Sequence, residues 1–161
     1  MEFALVGFPF FFVLCCICET GIMLFAEYVL QNAAQDAART VRTGQAVGAD
    51  GSPPATAGDF KAIICDSVDF LIDCSGKVTV YVDNAPDFAS LETVMGDPLA
   101  IGPGPMGEPY PVVFNPGARL RAATVVATYD WNFIFPFMDL LGNRANARRL
   151  YGMAIFRNEP F

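Results

Sequence analysis

The sequence predicts an α+β protein with one long N-terminal helix that contains a transmembrane segment. A small head follows, with a second helix and a roughly three-stranded antiparallel sheet. Two observations support this prediction. Residues 3–28 form a nearly continuous apolar run. Farther along, three segments alternate apolar and polar residues as strands do, at residues 77–83, 120–131 and 148–158. A long helix followed by strands favours an α+β head over repeating βα units.

The apolar run is the first element. A helix needs roughly 20 mainly apolar residues to cross a bilayer, and the run from about residue 3 to residue 28 supplies them, with Glu19 and Glu27 as its only charges. Pro9 lies inside the run and removes one backbone hydrogen bond, which membrane helices tolerate where neighbours pack against the site. An ionisable residue this deep in an apolar helix usually faces a partner. We therefore expect Glu19 either to contact a partner or to mark the level of the lipid headgroups.

The helical pattern continues beyond the apolar run. The following residues are rich in Ala, Gln and Arg, and Gly44 comes directly after them as a stop signal. The sequence therefore divides into a long helix over residues 1–44 and an α+β head over residues 45–161.

Composition narrows the classes of function. The chain has 161 residues, 53% of them hydrophobic, and a formal net charge of −7. Its basic residues form no stripe, so nothing indicates nucleic-acid binding. Histidine, the commonest general base, is absent. Asp66, Asp69 and Asp73 are the nearest approach to paired carboxylates, and their helical spacing is typical of a solvated face. We expect no enzyme activity, no catalytic residues, no metal and no cofactor.

The cysteines fall into two groups. Cys15, Cys16 and Cys18 lie inside the apolar run, where a thiol behaves as a small buried hydrophobe. Cys65 and Cys74 lie in the head at short spacing, and such a pair in an exported domain predicts a disulfide. Closing a loop of this size would stabilise the head by roughly 2–3 kcal/mol on the chain-entropy model.

The remaining head elements follow in order. Residues 44–58 form a turn-rich connector, and Asp59 can cap a second helix from Phe60 to about Leu71. Residues 84–118, the Pro/Gly segment, contain many prolines and glycines, and we expect an irregular loop that packs on the sheet or on a neighbouring subunit. Residues 132–142 predict a short helix or turn over the core.

Short motifs stand at both ends of the chain: Glu2-Phe3-Ala4-Leu5 and Glu19-x-Gly21 near the N-terminus, and Tyr129-x-Trp131 near the C-terminus. They resemble those of TadE-like proteins, which are minor pilins of the tight-adherence (Flp-type) branch of type IV pili. The C-terminal end is similar to alphaproteobacterial members, with a Tyr129-x-Trp131 segment and a closing stretch over residues 156–161. In the family a basic leader ending in Gly precedes the glutamate, whereas here only Met1 precedes Glu2. The N-terminal features that carry the resemblance are Glu2, Phe3, Pro9, Glu19, Gly21, Gln31-Asn32-Ala33 and Ala37-Ala38-Arg39.

The resemblance implies a structural subunit whose N-terminal helix first lies in the inner membrane and then packs into a filament or pilin complex. Glu2, Phe3, Pro9, Glu19 and Gly21 would then be the residues of assembly and helix packing. Glu2 would pair with an N-terminal ammonium. The implied partners are other pilin subunits (further copies, TadE- or TadF-like proteins and the Flp-type major pilin), inner-membrane lipid and the pilus assembly platform.

Localisation and function each keep an alternative. Arg39 and Arg42 would place the head in the cytoplasm by the positive-inside rule, whereas the cysteine pair and the resemblance place it in the periplasm, and later on an extracellular pilus linked to cell adhesion and secretion. We favour the periplasm. A membrane-anchored module that binds a partner through the Pro/Gly segment is the second functional hypothesis, and a membrane-tethered enzyme is a weaker third.

Overall fold

A computed structural model defines the fold as α+β, as the sequence predicts. The connector predicted over residues 44–58 lies mostly outside the part of the chain that the structure describes. The side chains of residues 2–5 and of residue 75 are also outside it. The described residues are 2–44, 56–104, 108–144 and 147–160.

Helix α1 runs without interruption from Glu2 to Arg42 and continues through Pro9. At 1.5 Å per residue its 41 residues extend about 60 Å. Its two halves have different surroundings. We call Glu2–Ile22 the stem, because its described side chains mostly lack neighbours, and Met23–Arg42 the docked half, because it packs on the head.

The docked half packs through one face rich in small side chains. Buried residues recur every three or four positions, which is the spacing of one side of a helix. Alanine predominates along this face, so the helix backbone can approach the sheet closely. The buried residues are Met23, Ala26, Leu30, Ala33, Ala34, Ala37, Ala38 and Val41.

The head contains one four-stranded mixed sheet in the order β2-β1-β3-β4. Its three long strands are β1 (Val78–Ala85), β3 (Ala122–Asn132) and β4 (Ala147–Arg157), and both pairings among them are antiparallel. The three strands predicted from alternation are therefore confirmed. The sequence does not predict the short β2 (Val113–Phe114), which pairs parallel with β1 at the sheet edge.

The two faces of the sheet are covered by different parts of the chain. On one face, Val82, Val125 and Leu150 pack against α1 and α2. On the other face, Val126 packs with Ile101 from the Pro/Gly segment. The sheet is therefore a middle layer between helices on one side and the Pro/Gly segment on the other.

Helix α2 spans Ala57–Val68 and begins three residues earlier than predicted. The N-cap is Thr56, whose hydroxyl accepts a hydrogen bond from the Asp59 amide at 3.2 Å. The Asp59 carboxylate in turn accepts from the Thr56 amide at 3.0 Å. Asp59 therefore closes a capping box from inside the helix. The helix ends at Val68, three residues before the predicted end, and Phe70 beyond it is exposed.

The Pro/Gly segment is only partly irregular. It contains helix α4 (Phe88–Met95) and a 3-10 turn over Pro98–Ala100, neither of which we predict. The side chain of Asp87 caps α4 by accepting from the Ser90 amide at 2.7 Å, and this hydrogen bond lowers the pKa of Asp87. Leu91 of α4 is buried against Ala85, the last residue of β1, and Ala122, the first residue of β3. As predicted, the segment packs on the sheet; residues 105–107 lie outside the described residues.

Strands β3 and β4 are joined by the hairpin tip, which we define as Phe133–Gly142. It contains a 3-10 turn over Met138–Leu141 that ends at Gly142, as predicted. The tip does not fold over the centre of the core. It extends along α1 toward the stem, and this position gives the stem its contact with the head.

Candidate assembly helix and its contacts with the head

The stem presents apolar side chains on nearly every side. α1 is the one helix among the described residues that is long and apolar enough to cross a membrane. Phe8 is 77% exposed, and similar exposure recurs around the helix. In the isolated chain this surface has no partner. The large apolar residues that lie exposed on the stem are Val6, Phe8, Phe10, Phe11, Val13, Leu14, Ile17 and Ile22.

Glu19 is the exception on the stem, since only 4% of its surface is exposed. One carboxylate oxygen accepts from the Ile134 amide at 2.7 Å and the other accepts from the Phe135 amide at 3.3 Å. Two successive backbone amides therefore enclose the carboxylate, which is a common way to stabilise an anion. Glu19 does face a partner, and within this chain that partner is the hairpin tip.

An aromatic contact extends this junction toward the N-terminus. The ring of Phe12 meets the ring of Phe135 edge to face, with centroids 6.4 Å apart. Phe12 precedes Glu19 by seven residues, about 10 Å along a helix. The hairpin tip therefore lies beside the second half of the stem.

The other residues predicted for assembly are either exposed or have side chains outside the described residues. The side chains of Glu2 and Phe3 lie outside the described residues. Pro9 is exposed, and a side chain added at Gly21 would meet nothing within 4 Å. Among the predicted assembly residues whose side chains are described, only Glu19 is enclosed by the head. A role for Pro9 and Gly21 in packing therefore requires a second molecule.

The head carries the predicted disulfide. Cys65 on α2 is bonded to Cys74, the first residue of the short helix α3 (Cys74–Lys77), with Cα atoms 5.5 Å apart. Cys15, Cys16 and Cys18 are free. The bond ties the end of α2 to the start of β1, so it stabilises the layer against which α1 docks.

Gln31 and Gly152 join the docked half to strand β4. The Gln31 side-chain amide donates to the Met153 carbonyl at 2.8 Å, and its oxygen accepts from the Met153 amide at 2.9 Å. Next to this contact, a Cβ atom at Gly152 would lie 2.4 Å from the backbone oxygen of Leu30. Helix and strand therefore approach as closely as backbones can, and only glycine fits there.

Arg149 organises the other side of the sheet. It is 1% exposed, and its Nε and Nη2 atoms donate to the two carboxylate oxygens of Asp130 at 2.6 Å each. The same guanidinium donates to the carbonyls of Leu99, Ile101 and Pro103. This ion pair therefore anchors the Pro/Gly segment to the sheet.

Tyr81 supports the same layer. Its hydroxyl donates to the Asp83 carboxylate at 3.1 Å. Burial, followed by the nearby negative charge of Asp83, raises the pKa of Tyr81 to about 12. Tyr81 therefore keeps its proton at neutral pH and remains a donor.

The C-terminal stretch closes the head. Asn158 is buried and donates to the carbonyls of Pro116 and Ala118 at 2.9 and 3.0 Å. Glu159 pairs with Arg42 at the end of α1, with 3.2 Å between Nε and Oε1. The stretch therefore connects the end of the Pro/Gly segment to the end of the docked half.

Sequence reasoning missed the residues that hold these layers together. Asp130 and Arg149 each place a charge within a predicted strand, and opposite charges on two strands indicate a possible ion pair between them. A glycine inside a strand, Gly152, commonly marks a close backbone approach. Gln31 gives no such signal, because glutamine is ordinary on a helix surface.

The fold and the stem together define a class: an α+β head that follows one N-terminal helix long and apolar enough to cross a membrane, the one such helix among the described residues. The family model described as TadE-like protein matches residues 1–39, which confirms the resemblance over the stem and most of the docked half. Over residues 1–39 the chain is therefore similar to the TadE-like proteins, a family of pilus components. Comparison with curated proteins and with solved structures gave no match. Among the described residues, no group of three or more acidic or cysteine side chains could hold a metal ion.

Proposed function

We propose that this protein is a pilin-like structural subunit, a minor pilin, of a Tad (Flp-type) type IV pilus. One observation carries the proposal. α1 is divided into a docked half, fixed to the head by a close-packed face, and a stem whose described apolar side chains are largely exposed. A subunit of this shape can insert the stem among other helices while the head stays outside.

The stem suits two environments in succession. A helix that is apolar all round is stable in lipid, where its backbone hydrogen bonds are satisfied internally. It is equally stable among similar helices, where lipid contacts are exchanged for side-chain packing. Moving from one to the other therefore costs little. The matched segment, residues 1–39, contains the whole stem, which supports a filament-type role.

The head belongs on the periplasmic side under this proposal. The Cys65–Cys74 disulfide supports that orientation, because disulfides persist in oxidising compartments. Other pilin subunits are then the partners of the stem, and inner-membrane lipid surrounds it before assembly.

Glu2 supplies the test of the proposal. By the family resemblance, its carboxylate pairs with an N-terminal ammonium and sets the axial register as the helix leaves the membrane. An unpaired carboxylate in a dry helix bundle costs several kcal/mol. We expect Glu2→Gln to leave the head folded and the disulfide formed but to reduce incorporation strongly, measured in sheared pilus fractions and by co-purification with other pilins.

Glu92→Gln is the matched control, because Glu92 lies exposed on α4 in the head. Both variants remove one negative charge, so an effect of net charge alone would appear in both. Wild-type incorporation of Glu2→Gln would rule out the proposed role of Glu2. Equal losses in the two variants would do the same.

A further inference from the structure

We infer that the hairpin tip, Phe133–Gly142, is a second membrane-contacting element that enters the leaflet on the head's side next to the stem. This inference rests on the proposed function only in requiring that the stem lie in a bilayer. We infer that lipid covers the exposed apolar side chains of the tip.

The tip exposes more apolar surface than its position in the head explains. Leu140 is 84% exposed, and Ile134 and Phe137 are each more than 70% exposed. Phe137 also holds a left-handed backbone conformation, with φ of 70°. That conformation is strained for a bulky residue and is usually retained at functional positions. Side chains this large and apolar gain free energy when they leave water.

The contacts of the tip fix its level relative to the membrane. Its backbone is hydrogen-bonded to Glu19, and Phe135 reaches the ring of Phe12 inside the stem. If Glu19 lies at the headgroup level, the Phe135 ring lies below that level. If Glu19 lies deeper, the backbone of Ile134 and Phe135 lies deeper with it. In either case a stem that spans the bilayer brings the tip into contact with lipid.

Several polar backbone groups of the tip are hydrogen-bonded within the protein, which irregular backbone near lipid requires. Glu19 accepts from two of its amides. The amides of Met138, Leu140 and Gly142 donate to carbonyls within the tip. The guanidinium of Arg148 donates to the Leu141 carbonyl at 3.3 Å.

The charges around the tip limit its depth. Asp139 is its one charged residue and is exposed, so the 3-10 turn lies no deeper than the boundary between headgroups and acyl chains. Arg144 and Arg148 follow the tip, and both guanidinium groups are held within the protein. That of Arg144 donates to the Pro103 and Leu99 carbonyls, and that of Arg148 donates to the Leu141 carbonyl. Arg148 also lies 4.0 Å from Glu27 of α1, which places a polar layer just above the tip.

Bromine quenching of tryptophan fluorescence tests this inference. The full chain carrying Trp131→Phe is inserted into phosphatidylcholine vesicles with or without brominated acyl chains. This background loses no hydrogen bond, because Trp131 Nε1 has no partner. One tryptophan is then introduced as Phe10→Trp in the stem, Leu140→Trp in the tip, or Val112→Trp, a position 75% exposed in the Pro/Gly segment.

We expect the bromine-dependent loss of fluorescence at position 140 to approach that at position 10, with little loss at position 112. Loss at position 10 alone would overturn the inference and leave the membrane-anchored stem intact; a second copy covering the tip would give this pattern. Equal loss at positions 112 and 140 would also overturn it, since the whole head would then lie on lipid. No loss at position 10 would overturn the membrane stage of the proposed function and this inference with it.

Discussion

Replacing Arg149 with methionine is expected to lower the free energy of unfolding by about 3–5 kcal/mol, because removing one partner of a buried ion pair leaves the other uncompensated. Asp130 would lose two hydrogen bonds of 2.6 Å. The Ile101 carbonyl would lose its side-chain donor, whereas the Leu99 and Pro103 carbonyls would lose one donor each and keep Arg144 as the other. Urea unfolding of the full chain in detergent, followed by the fluorescence of Trp131, measures this loss.

A second readout separates local loosening from global instability. Arg149→Met should release the Pro/Gly segment, so a glutamate-specific protease should cleave faster after Glu92 and Glu108. Lys77→Met is the matched control, since Lys77 forms an exposed ion pair with Asp73 at 3.4 Å. An exposed pair of this kind contributes about 0–1 kcal/mol. Equal effects of the two variants would contradict the role assigned to Arg149.

Gly152→Ala is expected to lower the free energy of unfolding by about 3 kcal/mol, at the upper end of the usual cost of overpacking. The new Cβ atom would lie 2.4 Å from the Leu30 oxygen and 2.8 Å from the Gln31 Cα. These are backbone atoms of a long helix and cannot rotate away. The docked half would have to separate from β4, which would also lengthen the two hydrogen bonds between Gln31 and Met153.

Gly76→Ala is the matched control for Gly152→Ala, because a Cβ atom at Gly76 would meet nothing within 4 Å. Both substitutions add one methyl group and remove the same backbone freedom. Urea unfolding should therefore show a large loss for Gly152→Ala and little change for Gly76→Ala. A stability of Gly152→Ala within experimental error of wild type would show that the docked half is not in close contact with β4.

The sequence predicts the elements of this fold better than their arrangement. Hydrophobic periodicity is a local signal, so it reveals α1 and the three long strands. The sequence predicts the start of α2 three residues too late, because an aspartate can be either the N-cap residue or a member of the first helical turn. Asp59 has the second position, and Thr56 is the N-cap. The many prolines and glycines of the Pro/Gly segment predict an irregular loop, so α4 is not predicted. None of these residues lies within Phe88–Met95 itself.

The candidate site was predictable only in part, for a related physical reason. Glu19 stands out as a charge in an apolar run, and a partner for it was expected. The partner is the backbone of the hairpin tip, 115 residues away, and a backbone amide has no sequence signature. The same limit applies to the carbonyls that Arg149 binds. Contacts between side chains and distant backbone are set by topology, which periodicity does not encode.

The central claim is that the stem lies in lipid before assembly and among pilin helices afterwards. Photo-crosslinking from the stem in both states tests it most directly. The photo-reactive residue p-benzoylphenylalanine would replace Phe8, whose side chain is 77% exposed. In cells without pilus assembly we expect lipid adducts, and in sheared pilus fractions we expect adducts to the apolar helix of another pilin subunit. The same replacement at Phe70, 71% exposed on the head, should give no lipid adduct. A Phe8 probe that reacts only with lipid, in cells that assemble pili containing this protein, would contradict the account.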